Sequence, residues 1–311
     1  MYVSDVFEHL TKLILNQDRG NMYNISMINY FQALILGALQ GVSELFPISS
    51  LGHSVIFPTL FGWHLNQQAP FFLTFIVATH FATAVVLFLF FFKDWIRILS
   101  GILRSLKARE ISPQDSDARL GWLLVVGTIP AGVLGLLFED SLKKFFASPH
   151  MAAGFLFCNG IMLFAAEFLR RKSIQQAQAD RNSDIRIAKL HWIQSIIVGA
   201  AQAIALFPGF SRTGATLSGG LLVGLSHEDA ARYSFLLATP IILAAAVLKI
   251  PELFTTSEHA ILGQAFVGAC AAGVCAYFSV KFLLKYFKTQ TLIPFGVYCL
   301  LVGGGVFLLT R

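Results

Sequence analysis

GALQGVSELFPISSLGHS at residues 37–54 and GAAQAIALFPGFSRTGAT at residues 199–216 are apolar stretches broken midway by proline, glycine and serine. The breaks fall at FPISSLGH (46–53) and FPGFSRTGAT (207–216). Proline offers no N–H and clashes with the turn before it, so a single helix does not run through either stretch. Each arm alone is short of the about 20 apolar residues that a bilayer crossing needs. Irregular backbone at membrane depth survives only where it is buried in protein or lines a wet cavity. Residues 28–62 and 188–225 therefore read as re-entrant helix–loop–helix hairpins.

The surrounding composition demands a membrane. Of 311 residues, 56% are hydrophobic and 13% charged, and Phe alone occurs 30 times. That charged share is about half of the ~25% usual in soluble domains. This excludes a disordered chain, a secreted disulfide-rich domain and an ordinary cytosolic enzyme. It leaves an all-α polytopic membrane protein. Apolar spans are expected at about 70–92, 120–138, 150–169, 230–249, 260–284 and 292–310.

Residues 1–27 form an N-terminal extension without signal-peptide order, in which VFEHLTKLIL (6–15) is amphipathic enough to lie in the interface. Residues 28–311 form one membrane domain. The net charge of +6 collects in loops: six Lys and Arg in 93–119, six in 170–190 and three in 281–291. Such loops face the cytoplasm, which puts both termini outside. No dense basic run with interleaved aromatics exists, so nucleic acid is not an expected partner. Cys158, Cys270, Cys275 and Cys299 all fall in apolar segments without a CxxC pair, so they read as buried thiols.

The two broken stretches also repeat each other. Gly37, Ala38 and Gln40 match Gly199, Ala200 and Gln202, and Phe46-Pro47 matches Phe207-Pro208. Ser50 and Ser211 each stand three residues after the proline. Downstream, FIVATH (75–80) matches FLLATP (235–240), and GFLFC (154–158) sits beside GVYCL (296–300). Each half, about 28–172 and 188–311, is then one hairpin plus three transmembrane helices. Three crossings invert the chain, so the expected fold is two inverted-topology repeats whose polar tips meet within the membrane.

Polar groups in an apolar setting are costly and mark function. The first tip offers Gln40, Glu44, Ser49, Ser50 and His53; the second offers Ser211, Arg212, Thr213 and Thr216. Arg212 stays charged and needs an anion. Hydroxyls and N–H groups at a helix start suit phosphate oxygens. A carboxylate, a serine, a histidine and an arginine together point to phosphoryl transfer. Plainer roles compete: Glu44 locked to Arg212, Ser49 or Ser50 capping a helix near Leu51, His53 satisfied in the core. His80 divides evenly between structure and function, and Glu167 reads as an interfacial ion pair with Arg170 and Arg171.

QGVSELFPISSLGH and PGFSRTGAT resemble the two signature motifs of the undecaprenyl-diphosphate phosphatases of the bacitracin-resistance (BacA) type. IPAGVLGLLFED (129–140), YSFLLATP (233–240) and IPFGVY (293–298) are similar to other stretches of that family, so the resemblance covers about 30–311. Leu51 stands where the family has Thr, and Thr213 where it has Ser. Gln40 is the neutral option at its position, which weakens a two-carboxylate metal site. The resemblance implies hydrolysis of undecaprenyl diphosphate in the bacterial inner membrane, at a site open to the periplasmic side. It implies a Mg²⁺ or Ca²⁺ requirement; three roles are open to Glu44, which could orient His53, act as a base or hold the metal.

On this reading the polyprenyl tail lies among apolar spans and membrane lipids, and the diphosphate enters between the tips. Arg212 stabilises transition-state charge. Gln40, Ser49, Ser211, Thr213 and Thr216 contact phosphate. Ser50 is the candidate nucleophile with His53, three residues on, as its base, and Glu44 serves at the metal or the attacking group. Direct attack by water stays open. A lipid transporter is the rival that the repeat favours. A phosphatidic-acid-type phosphatase is excluded, because Ser218 stands where its motif needs His.

Overall fold

A computed structural model describes residues 27–143, 148–170, 182–253 and 261–310. These residues form helices and turns, with no strand among them. The amphipathic stretch 6–15 lies outside the described residues.

The first hairpin is α1 (Tyr30–Ser43) and α2 (Ser50–Leu60). Helix α1 begins at a capping box: Gln32 N–H donates to Asn29 Oδ1 (2.8 Å) and Asn29 N–H to Gln32 Oε1 (3.0 Å). It stops at Glu44, before Pro47, and α2 restarts under the Ser49 cap, whose Oγ accepts from Gly52 N–H at 3.2 Å. Then come α3 (Pro70–Phe90), α4 (Phe92–Ala108), α5 (Ser116–Lys143) and α6 (Pro149–Arg170).

A short α7 (Ser183–Ala188) leads to the second hairpin, α8 (Trp192–Ala201), a 3₁₀ turn (Gln202–Leu206) and α9 (Arg212–Leu222). Ser211 caps α9, accepting from Gly214 N–H at 3.0 Å. The chain closes with α10 (His227–Leu253), α11 (Leu262–Tyr286) and α12 (Ile293–Leu309).

Each expected span coincides with a helix. Among the described residues, Pro70–Phe90, Ser116–Phe138, Pro149–Arg170 and Leu262–Tyr286 are long and apolar enough to cross a bilayer. This is a multi-pass membrane architecture. The segment 93–119 is more than a loop: α4 fills most of it. Its exposed Phe92, Ile96, Leu99, Leu103 and Leu106 recur at helical spacing, while Lys93, Arg97, Arg104 and Lys107 lie between them. Large apolar side chains on the outer surface, such as Phe168, Phe266 and Leu301, suit lipid rather than water. For the same reason the expectation of four buried thiols holds only for Cys299. Cys158 and Cys270 are exposed and Cys275 is half-buried, all free.

Close packing rests on small residues. A Cβ on Gly37 of α1 would strike the Gly268 carbonyl of α11, and one on Gly199 of α8 would strike the Gly127 carbonyl of α5. Elsewhere α6 packs on α12, α3 on α10 and α11, and α9 on α6, α8 and α10.

Ion pairs gather at the other ends of these helices. Asp184 of α7 takes Arg232 of α10 at 2.6 Å and Arg97 of α4 at 2.9 Å. Burial pushes its carboxyl upward, but the two guanidinium groups outweigh this and hold it below the usual range. Glu167 pairs with Arg170 at 3.5 Å, as expected, and also with His227 Nε2 at 2.8 Å.

Gly199→Val should overpack the α8–α5 crossing and lower the apparent melting temperature in detergent, for a cost of about 1–3 kcal/mol. Gly305→Val is the control, since a Cβ there meets nothing within 4 Å. Equal melting curves for the two variants would show that the crossing tolerates side chains.

Candidate active site

The broken segments meet and tie each other down. Gly209 N–H donates to Ser49 Oγ at 3.2 Å, Thr213 Oγ–H to the Glu44 carbonyl at 2.9 Å, and Ser211 Oγ–H to the Phe46 carbonyl at 3.4 Å. Asn159, from α6, clasps both. Its Nδ2 donates to the Pro47 carbonyl (2.9 Å) and its Oδ1 accepts from Ser211 N–H (3.0 Å). Gly209 permits this approach. Its φ of +113° lies in the left-handed region, and a Cβ would strike the Ala152 carbonyl of α6. Ser49 also sits at positive φ, +69°, a conformation that costs of order 1–3 kcal/mol and is characteristic of functional sites.

At the junction lies a cavity of about 350 Å³, lined by Glu44, Ser49, Ser50, His80, Gln202, Ser211 and Arg212. Its remaining walls are largely apolar, with Ile76, Ala131, Leu206, Phe210, Ile241 and Ile242 among them. Helices α2 and α9 both begin here. Their N-terminal N–H groups and dipoles make the cavity attractive to an anion.

Glu44 is the hub. Its Oε1 accepts from Arg212 Nη2 at 2.9 Å, and its Oε2 accepts from Ser50 Oγ at 2.5 Å and Gln40 Nε2 at 3.2 Å. His80 Nε2 lies 3.2 Å from the same Oε2. The carboxylate is 7% exposed as a residue, so this crowd of donors is what keeps a buried charge tolerable. Two atoms of the lining are left over. Arg212 Nη1 and Gln202 Oε1 are buried and find no hydrogen-bond partner among the described residues. Such orphaned groups each cost about 1–3 kcal/mol until something meets them.

Of the residues expected at the site, Glu44, Ser49, Ser50, Ser211 and Arg212 line the cavity together. Four others do not. Gln40 stands behind Glu44, one helical turn back. Thr213 spends its hydroxyl on the Glu44 carbonyl, and Thr216 spends its own on the Arg212 carbonyl (2.9 Å) and Ser234. They brace the tips instead of facing a ligand. His53 is turned away from Ser50. Its Nδ1 meets the Ser49 carbonyl at 2.6 Å and its Nε2 meets the Tyr298 hydroxyl at 2.8 Å, so both ring nitrogens are engaged elsewhere. The partner of the Ser50 hydroxyl is Glu44.

Asn159, Gln202 and Tyr298 were not singled out from the sequence, and His80 was left undecided. Asn159 and His80 carried a signal: each is a polar side chain inside an otherwise apolar span.

The lining offers too few oxygen ligands to hold Ca²⁺ or Mg²⁺ by itself. Ca²⁺ takes six to eight oxygen ligands, and Mg²⁺ six, with waters and substrate phosphates often among them. Glu44 is the one carboxylate lining the cavity, both its oxygens are occupied, and a guanidinium sits 2.9 Å away. No group of three His, Cys, Asp or Glu suited to a metal occurs among the described residues. In this structure Glu44 is an acceptor of hydrogen bonds from Arg212, Ser50 and Gln40.

Comparison with known proteins gives the same direction. Residues 33–305 match the family model described as bacitracin resistance protein BacA. The chain is 48% identical over 295 residues to an undecaprenyl-diphosphatase of Mycolicibacterium paratuberculosis, covering 89% of this chain and 96% of that one. It is 48% identical over 297 residues to an undecaprenyl-diphosphatase of Mycobacterium avium, covering 90% and 96%. An undecaprenyl-diphosphatase 2 of Chromobacterium violaceum is 45% identical over 284 residues, covering 89% and 97%. With a family match over residues 33–305, which takes in both tips, this chain belongs to the BacA bacitracin-resistance family.

Proposed function

We propose that the protein removes the terminal phosphate of undecaprenyl diphosphate. The products are undecaprenyl phosphate and inorganic phosphate, which returns the lipid carrier to peptidoglycan synthesis and confers resistance to bacitracin. The observation that carries this is Ser50 Oγ at 2.5 Å from Glu44 Oε2, beside an arginine with a spare N–H. The apolar walls of the cavity suit the first prenyl units, and its polar end suits the diphosphate.

The chemistry follows from the contacts. The terminal phosphate sits at the N-termini of α2 and α9. Arg212 Nη1 donates to its oxygens while Nη2 remains on Glu44. Glu44 Oε2 takes the Ser50 proton as Oγ attacks phosphorus. The bridging P–O bond breaks and undecaprenyl phosphate leaves, taking the proton from Glu44, which is a carboxylate again. Water then attacks the phosphoserine, giving its proton to the Glu44 carboxylate, and the Ser50 oxygen regains a proton as phosphate departs. Arg212 and the helix N–H groups hold the charge that spreads over the equatorial oxygens in both steps. A divalent ion, where one is needed, would come chelated by the diphosphate's own oxygens.

The same reading covers architecture and orientation. The halves about 28–172 and 188–311 are inverted repeats in the inner membrane, with the cavity open to the periplasmic side. Helix pairing supports this. Helix α1 packs on α11 as α8 packs on α5, through equivalent Gly37 and Gly199, while α3 packs on α10 and α6 on α12. Exchanging the halves reproduces each of these pairs.

Ser50→Ala in purified protein should abolish phosphate release from a C55 diphosphate. If more than about a tenth of turnover remains, a loss under ~1.4 kcal/mol, water attacks directly and Ser50 only binds phosphate.

Arg212→Ala should lose at least ~10²-fold in turnover, the scale for one transition-state donor. Lysine should rescue poorly because it cannot bridge Glu44 and phosphate with one planar group. Near-normal turnover in either variant would sink the clamp role.

Orientation is checked in a cysteine-free background. Gln68→Cys, between α2 and α3, should react with an impermeant maleimide in intact cells, and Gln114→Cys, between α4 and α5, only after permeabilisation. The reverse pattern would turn the molecule over.

A further inference from the structure

His80 is a cavity residue that the reaction above leaves without a task. It stands within α3, outside both broken segments, at the place where the repeat has Pro240 in the other half. Its Nδ1 lies 2.8 Å from the Ile76 carbonyl and its Nε2 3.2 Å from Glu44 Oε2. A carbonyl oxygen only accepts, so Nδ1 carries a hydrogen and ties the ring to its own helix. Glu44 already accepts from Arg212, Ser50 and Gln40, so what Nε2 meets is an ionised carboxylate, and Nε2 donates to it.

Arginine and carboxylate prefer a two-pronged pairing, with both oxygens on the guanidinium fork. Here Arg212 reaches only Oε1, and its Nη1 is left without a partner. Oε2 is held away from the fork by Ser50, Gln40 and His80. Ser50 gives up its proton in the reaction and cannot hold the oxygen throughout. Gln40 sits four residues back on the same helix and moves with Glu44. His80 is the anchor from a separate element. We propose that His80 is a positioning residue for the phosphatase reaction: it keeps Glu44 Oε2 beside Ser50 and leaves the second prong of Arg212 free for phosphate. This rests on the phosphatase reading of the site. Without His80, Glu44 swings onto the guanidinium fork, and both the base and the clamp lose their alignment.

The test is steady-state phosphate release from a C55 diphosphate by purified wild-type protein, His80→Leu, His80→Ala and His80→Gln, with Ser50→Ala as the blank. His80→Leu and His80→Ala should lose ~10-fold or more in kcat, with KM within about threefold, the pattern of lost transition-state alignment. His80→Gln keeps an N–H donor on a side chain of suitable reach and should retain most of kcat. Added imidazole should restore part of the His80→Ala rate. A merely structural histidine would be replaced well by leucine and would not respond to imidazole.

His80→Leu within twofold of wild type, a change confined to KM, or His80→Gln no better than His80→Leu would each overturn the proposal. Where His80→Leu fails to fold, as seen by its melting curve, imidazole rescue of His80→Ala decides. An inactive wild-type protein brings down the phosphatase reading itself. An active wild type with an indifferent His80 removes only the present inference.

Discussion

A single buried carboxylate organises the molecule. Glu44 lies at the end of an apolar helix, where a lone charge would be untenable. Arg212, 168 residues further along the chain, answers it at 2.9 Å. Neither partner is reachable unless both helices break, and both break at a proline. The rest of the junction secures that meeting. Ser49 is held at positive φ by accepting from two backbone N–H groups, and Asn159 bonds backbone on both tips. Removing one partner of such a pair leaves the other charged and buried, which is why the loss would exceed the value of the contact itself.

The opposite constraint shapes the surface. Large apolar side chains face lipid, so burying them against each other yields little, and the helices associate through close fit. The glycine contacts at Gly37 and Gly199 let α1 and α8 sit against α11 and α5 at backbone distance. Among the described residues, buried charge is prominent at the tip junction and at the helix ends around Asp184. There Arg97 and Arg232 join α4, α7 and α10 into one ion-paired cluster. The first cluster lines the cavity of the proposed reaction, and the second joins helices at the Asp184 end.

Much of this was legible in the sequence because membrane depth permits few structures. Prolines 47 and 208 mark the breaks, and the apolar runs mark the long helices to within a few residues. Helix α4 was hidden because its basic residues outvoted its apolar stripe in a search for spans. The site was legible in part. Ser50 and Glu44 were placed together by their shared tip, but His53, expected as the base, has both ring nitrogens on other partners. A spacing of three residues puts two side chains on one helix face without saying what else reaches that face. Here Tyr298, 245 residues away, takes His53. Thr213 and Thr216 were misread for a similar reason, since a hydroxyl in a helix can return to a nearby carbonyl and leave nothing for a ligand.

The inverted-repeat architecture proposed above is one that transporters use, and the tip junction favours hydrolysis over transport. Alternating access requires the two halves to rock, with the tips parting or sliding. Here the tips share hydrogen bonds between side chain and backbone, an ion pair and the Asn159 clasp. Parting them would strand Glu44 and Arg212 together with several carbonyls. A junction this expensive to open is a poor gate. It is a good mount for a nucleophile and its base, because their alignment is fixed before the substrate arrives and costs no reorganisation in the transition state. The orphaned Nη1 of Arg212 fits the same logic: among the described residues that line the cavity it is the donor left unpartnered, and in the proposed reaction it meets the diphosphate.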